Sequence, residues 1–383
     1  MSAARWRRAM SPGATLPALA PRPPGRATPA PRPRTAGGPA AGRGETAGAL
    51  AAARRTIGLR HLFVLALLLA YPFFATPFFT FQIAGQALAL GLVALSLTFL
   101  GGYGGMISLA QLTIGGIAGY TVSILGTSAT ELSLGWPWWI VVPFAILVAT
   151  TIAALIGWLS VRTEGIYTIM ITLAFGVAFY FLALQNYSVF NGFQGFQKVY
   201  PPVVFGIDWR QPMPFYFLAL GCALAGYLAV KWVIRAPFGV ALQGIRDNPR
   251  RMAALGYHVV AHRVAAYTVA GVLAAVGGIL LVWYNGLITP NSVNTGWLIN
   301  ILVIAVLGGM RHPIGAFLGA IVFVLMQTFA IDLIDRERFN LLIGGVFLAI
   351  VLFSPDGLLG LWAKLRARLA SGRATTPPPR RQA

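Results

Sequence analysis

Between residues 57 and 363 the chain alternates long apolar runs with short polar breaks, at a spacing that fits helices crossing a bilayer. The runs at 62–81 and 137–160 hold no charged residue. Each is long enough for a hydrocarbon core of about 30 Å, which takes roughly 20 apolar residues as helix. The pattern predicts ten spans, at about 62–81, 83–102, 104–126, 137–160, 166–187, 213–234, 264–286, 297–310, 313–331 and 339–362. Two stretches, 104–126 and 297–331, carry enough glycine to break or to re-enter. No segment alternates with the period of a strand, so a β-barrel is not expected. The expected fold is all-α, a polytopic membrane protein of about ten transmembrane helices.

Charge sets the expected orientation. With the N-terminus inside, the basic residues on the inner side are 11 before residue 61, Arg162, six from 231 to 263, Arg311 and six from 364 on, 25 in all. Only Lys198, Arg210, Arg336 and Arg338 fall outside. The positive-inside rule therefore places both termini in the cytoplasm. The net charge of +20 is mostly this topology signal, and no basic surface interleaved with stacking aromatics points to nucleic acid. The composition agrees: 57% of residues are hydrophobic and only 10% charged, against about a quarter in soluble domains. The single cysteine, Cys222, excludes a disulfide framework. Residues 1–56 are rich in Ala, Pro, Gly and Arg and are expected to be a disordered basic N-terminal segment. Residues 364–383 are expected to be a disordered basic tail.

Chemistry inside the spans is sparse. No carboxylate, lysine or arginine lies near the centre of any predicted span, which disfavours proton coupling through titratable groups at depth. His258 and His262 share a helix spacing, but no acid or cysteine joins them, so loop histidines are expected rather than a metal site. No HExxH, GxSxG or nucleotide-binding glycine loop is present, and none of Lys198, Lys231 and Lys364 follows such a loop. No catalytic residue and no metal ligand is expected. A few polar side chains lie within spans, among them Gln86, Ser108, Gln111 and Asn285. Helix–helix glue is the simpler reading of each, and a substrate path is the functional one.

The stretch "GGYGGMISLAQLTIGGIAGYT" at 101–121 holds seven glycines, and "VLGGMRHPIGAFLGA" at 306–320 has the same sense. In each, the first glycine of GGM is followed 11 residues later by another, Gly104 to Gly115 and Gly308 to Gly319. Breaks at Gly104, Gly105, Gly308 and Gly309 would expose backbone to a polar path.

The loop expected at 236–263 contains a short basic island. Within it 248–256 reads as a two-turn helix: Asn248 is a favoured N-cap, Pro249 suits the first helical position, and Gly256 suits C′. Arg250 and Arg251 fall in the first turn, where the helix dipole favours acids, so they serve an external anion rather than the helix. A groove on another protein and a surface of anionic headgroups both fit.

"ALQGIRDNPRRMAALGYHVVAHRVAAYTVAGVLAAVGGIL", 241–280, resembles the coupling loop and following span of branched-chain amino acid permeases of the ABC importer class. The 306–320 and 101–121 stretches, "TEGIYTIMITLAFG" at 163–176, "NGFQGF" at 191–196 and "SPDGLLGLW" at 354–362 are similar to that family's motifs in order and spacing, over about 60–363. The departures are Pro249 for a usual glutamate, Met106 for glutamine, Arg311–His312 for Gly–Thr, and Ala118–Gly119–Tyr120 for Gly–Ala–Tyr.

The resemblance implies a transmembrane permease domain at 57–363, with its cytoplasmic coupling loop at 236–263, in a bacterial inner membrane. It implies no enzyme activity and no cofactor of its own, since two ATPase partners would bind the ATP. It also implies a second homologous permease subunit and an extracytoplasmic solute-binding protein. The residues it assigns to ATPase coupling are Arg246, Asp247, Asn248, Arg250, Arg251, Ala254 and Gly256. A secondary transporter or channel, and a membrane scaffold, are the rival classes.

Overall fold

The computed structural model describes residues 59–130, 132–163, 165–204 and 206–333, together with 344–345, 348, 352 and 357–360. The expected segments 1–56 and 364–383, most of the span at 339–362, and Glu131, Glu164, Asp335, Glu337 and Asp356 lie outside the described residues. The chain divides into two compact units, 1–62 and 63–383. Of the described residues, all but 59–62 belong to the second.

The described elements are overwhelmingly helical: α1 (Leu59–Phe74), α2 (Phe79–Tyr103), α3 (Gln111–Leu125), α4 (Trp138–Ser160), α5 (Ile166–Gln185) and α6 (Tyr187–Phe190), followed by α7 (Pro212–Arg235), α8 (Pro237–Asp247), α9 (Pro249–Ala254), α10 (Val259–Asn285), α11 (Thr295–Gly308) and α12 (Pro313–Leu333). Five of them, α2, α4, α5, α7 and α10, are long and apolar enough to cross a bilayer, and α11 with α12 makes a sixth if that pair, bent by 117°, is one span. The protein is thus a mostly helical, multi-pass membrane protein.

Several boundaries fall where proline marks a helix start, at Pro212, Pro237, Pro249 and Pro313. Proline is pre-set for the first turn, where its missing N–H costs nothing. The expected spans at 62–81 and 83–102 are redrawn for the same reason. Pro77 restarts the helix, so α1 stops at Phe74 and the crossing segment is Phe79–Tyr103. Both ends of α2 are π-helical, at Phe79–Gly85 and Phe99–Tyr103.

Helix α10 runs through the middle and packs on α2, α3 and α4. Its inner face is small: Ala266, Ala270, Gly271, Ala274, Gly277 and Gly278 are buried. Glycine costs a helix about 1 kcal/mol relative to alanine. Here the loss is offset by closeness, because a Cβ on Gly278 would run into the backbone of Gly115 on α3. Small residues that let backbones meet are how helices associate in lipid, where no hydrophobic drive joins them.

The two ends of the bundle differ. At one end, short antiparallel strands β1 (Phe196–Gln197) and β4 (Leu287–Ile288) pair, beside a hairpin of β2 (Val203–Val204) and β3 (Ile207–Asp208). Exposed Trp136, Trp138 and Trp139 lie at this ribbon end. At the other end lie Arg162, Arg235, Arg246, Arg250, Arg251, Arg263 and Arg311, while Lys198 and Arg210 lie at the ribbon end.

Candidate functional site

The stretch 236–263, expected as a loop, is largely helical. Ala236 and Pro237 start α8, whose Gly239, Ala241, Leu242 and Ile245 are buried against the bundle. Asn248 then breaks the helix with extended backbone (φ −157°, ψ 94°) and starts a second one. Its Oδ1 accepts from the Arg251 backbone N–H at 2.9 Å, satisfying an N-terminal donor of α9. At the other end Gly256 has φ +89°, the Gly256 N–H reaches Ala253 O at 3.0 Å, and the Tyr257 N–H reaches Met252 O at 3.1 Å. These two bonds and a left-handed glycine form a Schellman cap. The cap geometry predicted for 248–256 is therefore present, around a helix of six residues.

The outward face of α9 is cationic and apolar. Arg250, Arg251, Ala253 and Ala254 are exposed, and Leu255 is 67% exposed. Among the described residues, neither the Arg250 nor the Arg251 side chain has an ion pair or hydrogen bond. A six-residue helix is not stable alone in water, so its caps and its tether to α8 hold it ready.

Arg246 behaves differently. It pairs with neighbouring Asp247, Nε and Nη2 each 2.9 Å from Oδ1, and its Nη1 donates to Gly102 O at 2.6 Å. Its stem lies over Gly105, where φ is +69° and a Cβ would sit 2.5 Å from Arg246 Cγ. Gly102 in turn faces Met310 O, the Tyr103 hydroxyl donates to Arg311 O at 3.0 Å, and a Cβ on Gly357 would lie 2.5 Å from Gly309 N. The two GGM turns, 102–106 and 308–311, therefore meet, with Arg246 against one of them. Asp247 is exposed beside its arginine.

The break between α2 and α3 is pinned as well. Met106 N–H reaches Leu100 O at 3.0 Å, and Leu109 N–H donates to Thr172 Oγ1 on α5 at 3.1 Å.

The polar candidates within spans fall into separate places. Gly104, Gly105, Gly308 and Gly309 belong to the glycine junction. Ser108 and Gln111 are fully buried just beyond it, with Gln111 Oε1 accepting from Ser96 Oγ at 3.0 Å. Among the described residues the Gln111 Nε2 has no hydrogen-bond partner. Gln86 lies toward the ribbon end, where Tyr284 Oη reaches its Oε1 at 3.4 Å. Asn285 is exposed at the last residue of α10. Among the described residues no cluster of His, Cys, Asp or Glu could hold a metal. His262 instead stacks on Phe238, ring centroids 5.8 Å apart, and its Nδ1 lies 2.9 Å from His258 O.

A family model described as branched-chain amino acid transport system / permease component matches residues 79–351, most of the chain. The chain belongs to this permease family. Its similar relatives include the high-affinity branched-chain amino acid transport system permease protein LivM of Salmonella typhimurium, 24% identical over 82% of this chain and 78% of the relative. The autoinducer 2 import system permease protein LsrC of Escherichia coli O157:H7 is 30% identical over 42% of this chain and 51% of that protein. The nucleoside ABC transporter permease protein NupC of Lactococcus lactis is 32% identical over 34% and 40%. No solved structure matches.

The family is one of transport permease components, so this permease is a transporter subunit and not an enzyme. Within it, three contributors escaped the sequence reading: Tyr103, Met310 and Thr172. Thr172 lies in the "TLA" of 172–174, a motif noted above, but its role in holding the break needs a contact 63 residues away. Met310 acts through its backbone carbonyl, which any residue type supplies.

Proposed function

We propose that this chain is one of two homologous permease subunits of an ATP-driven importer in a bacterial inner membrane. Its solute is a branched-chain amino acid or a related small solute. Two ATPase subunits bind and hydrolyse ATP on the cytoplasmic side, and an extracytoplasmic solute-binding protein delivers the solute. On this reading the arginine-rich end is cytoplasmic, as the positive-inside rule requires, and both termini lie there with about ten spans between them. The ribbon end then receives the binding protein.

The observation that carries the proposal is α9, a helix capped at both ends and presented outward with two unpaired arginines and exposed Leu255. An apolar anchor beside cations that lack internal partners suits a groove lined by acidic side chains and carbonyls. A lipid surface would take the cations equally well, but it would not require a helix held so rigidly. The solute class fits spans whose polar groups are neutral amides, hydroxyls and glycine backbone.

Purified alone, the chain should hydrolyse no ATP. Reconstituted with both ATPase subunits, its permease partner and the binding protein, uptake should need internal ATP and survive an uncoupler. A secondary transporter or channel predicts the reverse, with uptake that persists without ATP or collapses when the ion gradients do.

A further inference from the structure

We infer that Arg246 is a latch that holds a cytoplasmic gate closed and ties that gate to the helix that meets the ATPase. The gate is the glycine junction itself, residues 102–105 against 308–311. The inference rests on the reading of α9 as the ATPase contact, and it adds where the push arrives and which residue transmits it.

Gly102 is one of the last residues of α2, whose terminal carbonyls have no partner within the helix. The negative end of the helix dipole also gathers there, so a cation is favoured. Arg246 fills the position with a short hydrogen bond, while the other edge of the same guanidinium grips Asp247. A planar fork with five donors holds both in fixed geometry from separate nitrogens, whereas a lysine ammonium offers three donors on one atom. The bond joins residues 144 apart in the chain, and Arg246 stands three residues before the first residue of α9.

The surroundings make this contact a point of control. Only Asn248 separates α8 from α9, and the Asn248 N–H still bonds to Gly244 O at 3.0 Å. A displacement of α9 therefore reaches 246–248 directly on one side, as it reaches α10 through residues 255–258 on the other. On the far side of Gly102, the Met310 carbonyl leaves no room for a side chain. On the far side of Gly105, the Arg246 stem occupies the space a Cβ would take. Behind the junction lie fully buried polar groups, Ser108 and Gln111. Release of the guanidinium frees the end of α2 to part from the 308–311 turn and opens a way to those groups. Packed backbone contacts of this kind have discrete arrangements and do not deform continuously, which is what a gate needs.

The test uses a buried reporter. Ser108→Cys, in a Cys222→Ala background, adds a thiol behind the junction in place of a fully buried hydroxyl of similar size. In lipid nanodiscs without partners, a small thiol reagent should label it slowly. Adding Arg246→Ala should speed labelling roughly tenfold or more, the scale set by loss of a charge-assisted bond. Arg246→Lys should fall between the two, and Arg250→Ala should change nothing. A second reporter, Ser123→Cys, equally buried but at the ribbon end of α3, should stay slow in all variants and so separates local opening from unfolding.

In the full complex, Arg246→Ala should still co-purify with the ATPases and hydrolyse ATP but move less solute per ATP. Arg250→Ala should lose ATPase. Labelling of Arg246→Ala as slow as its parent overturns the latch, and so does loss of ATPase binding without faster labelling. If instead Arg250→Ala binds ATPase and transports normally while Arg246→Ala speeds labelling, the docking reading fails and the latch stands.

Discussion

Arg250→Glu combined with Arg251→Glu is expected to abolish ATP-driven uptake while the chain still inserts at its normal level. Both side chains are exposed and unpaired among the described residues, so nothing in the fold depends on them. If anything the isolated helix gains, because acids in the first turn complement its dipole by a few tenths of a kcal/mol. What is lost lies outside the chain. Hydrogen bonds to charged groups contribute about 1.5–3 kcal/mol each, and two reversed charges add repulsion against the same acidic partner. A loss of about 3 kcal/mol or more weakens docking by roughly a hundredfold, since each 1.4 kcal/mol is tenfold. Membrane fractionation and uptake in the same cells check this. Normal amounts of the variant with undiminished uptake would show that these arginines rest on headgroups.

Gly308→Ala is expected to act oppositely, removing most of the folded protein. The helices α11 and α12 meet at a bend of 117°, and their crossing is backbone on backbone. A Cβ on Gly308 would run into Gly315 O and lie 3.0 Å from Gly319 N, and one on Gly319 would lie 2.8 Å from Gly308 N. None of these neighbours is a flexible side chain that could turn aside. Overpacking a site with side-chain neighbours already costs about 1–3 kcal/mol, and a rigid backbone neighbour puts the cost at or above the upper end. Gly221→Ala is the matching control. Nothing lies within 4 Å of a Cβ there, so it should gain the ordinary advantage of about 1 kcal/mol for alanine in a helix. The two variants should part clearly in a thermal-stability assay on detergent-solubilised protein. Equal stability would mean that the α11–α12 crossing is looser than drawn.

These two cases mark what was legible in the sequence. Helices α4, α5, α7 and α12 lie close to their predicted spans because apolar runs end where Pro, Gly or charge intervenes. The caps of α9 were legible for the same local reason: Asn248, Pro249 and Gly256 each have one dominant use at their positions. The helix α8 was hidden because its charged end was grouped with the loop, although Leu242 and Ile245, three apart, follow helical spacing. The π-helical ends of α2 leave no mark in residue type, since a wider turn is made from the same apolar side chains.

The junction could not be read at all. Gly102 with Arg246, and Tyr103 with Arg311, are pairs 144 and 208 residues apart, each joined through a backbone carbonyl that any residue would supply. The glycine stretches announced close approach without naming the partner. The eight polar-path candidates show the limit from the other side. Buried amides and hydroxyls in lipid must face protein, which holds for Ser108 and Gln111, but facing protein does not place them along one passage.

The central claim is that α9 is pressed against a nucleotide-hydrolysing subunit while solute moves. A photo-crosslinking residue in place of exposed Leu255, activated in cells taking up solute, tests it most directly. The expected product is an adduct between this chain and the ATPase, formed at high yield during uptake. Adducts with lipid alone, in cells whose uptake is undiminished, would contradict it.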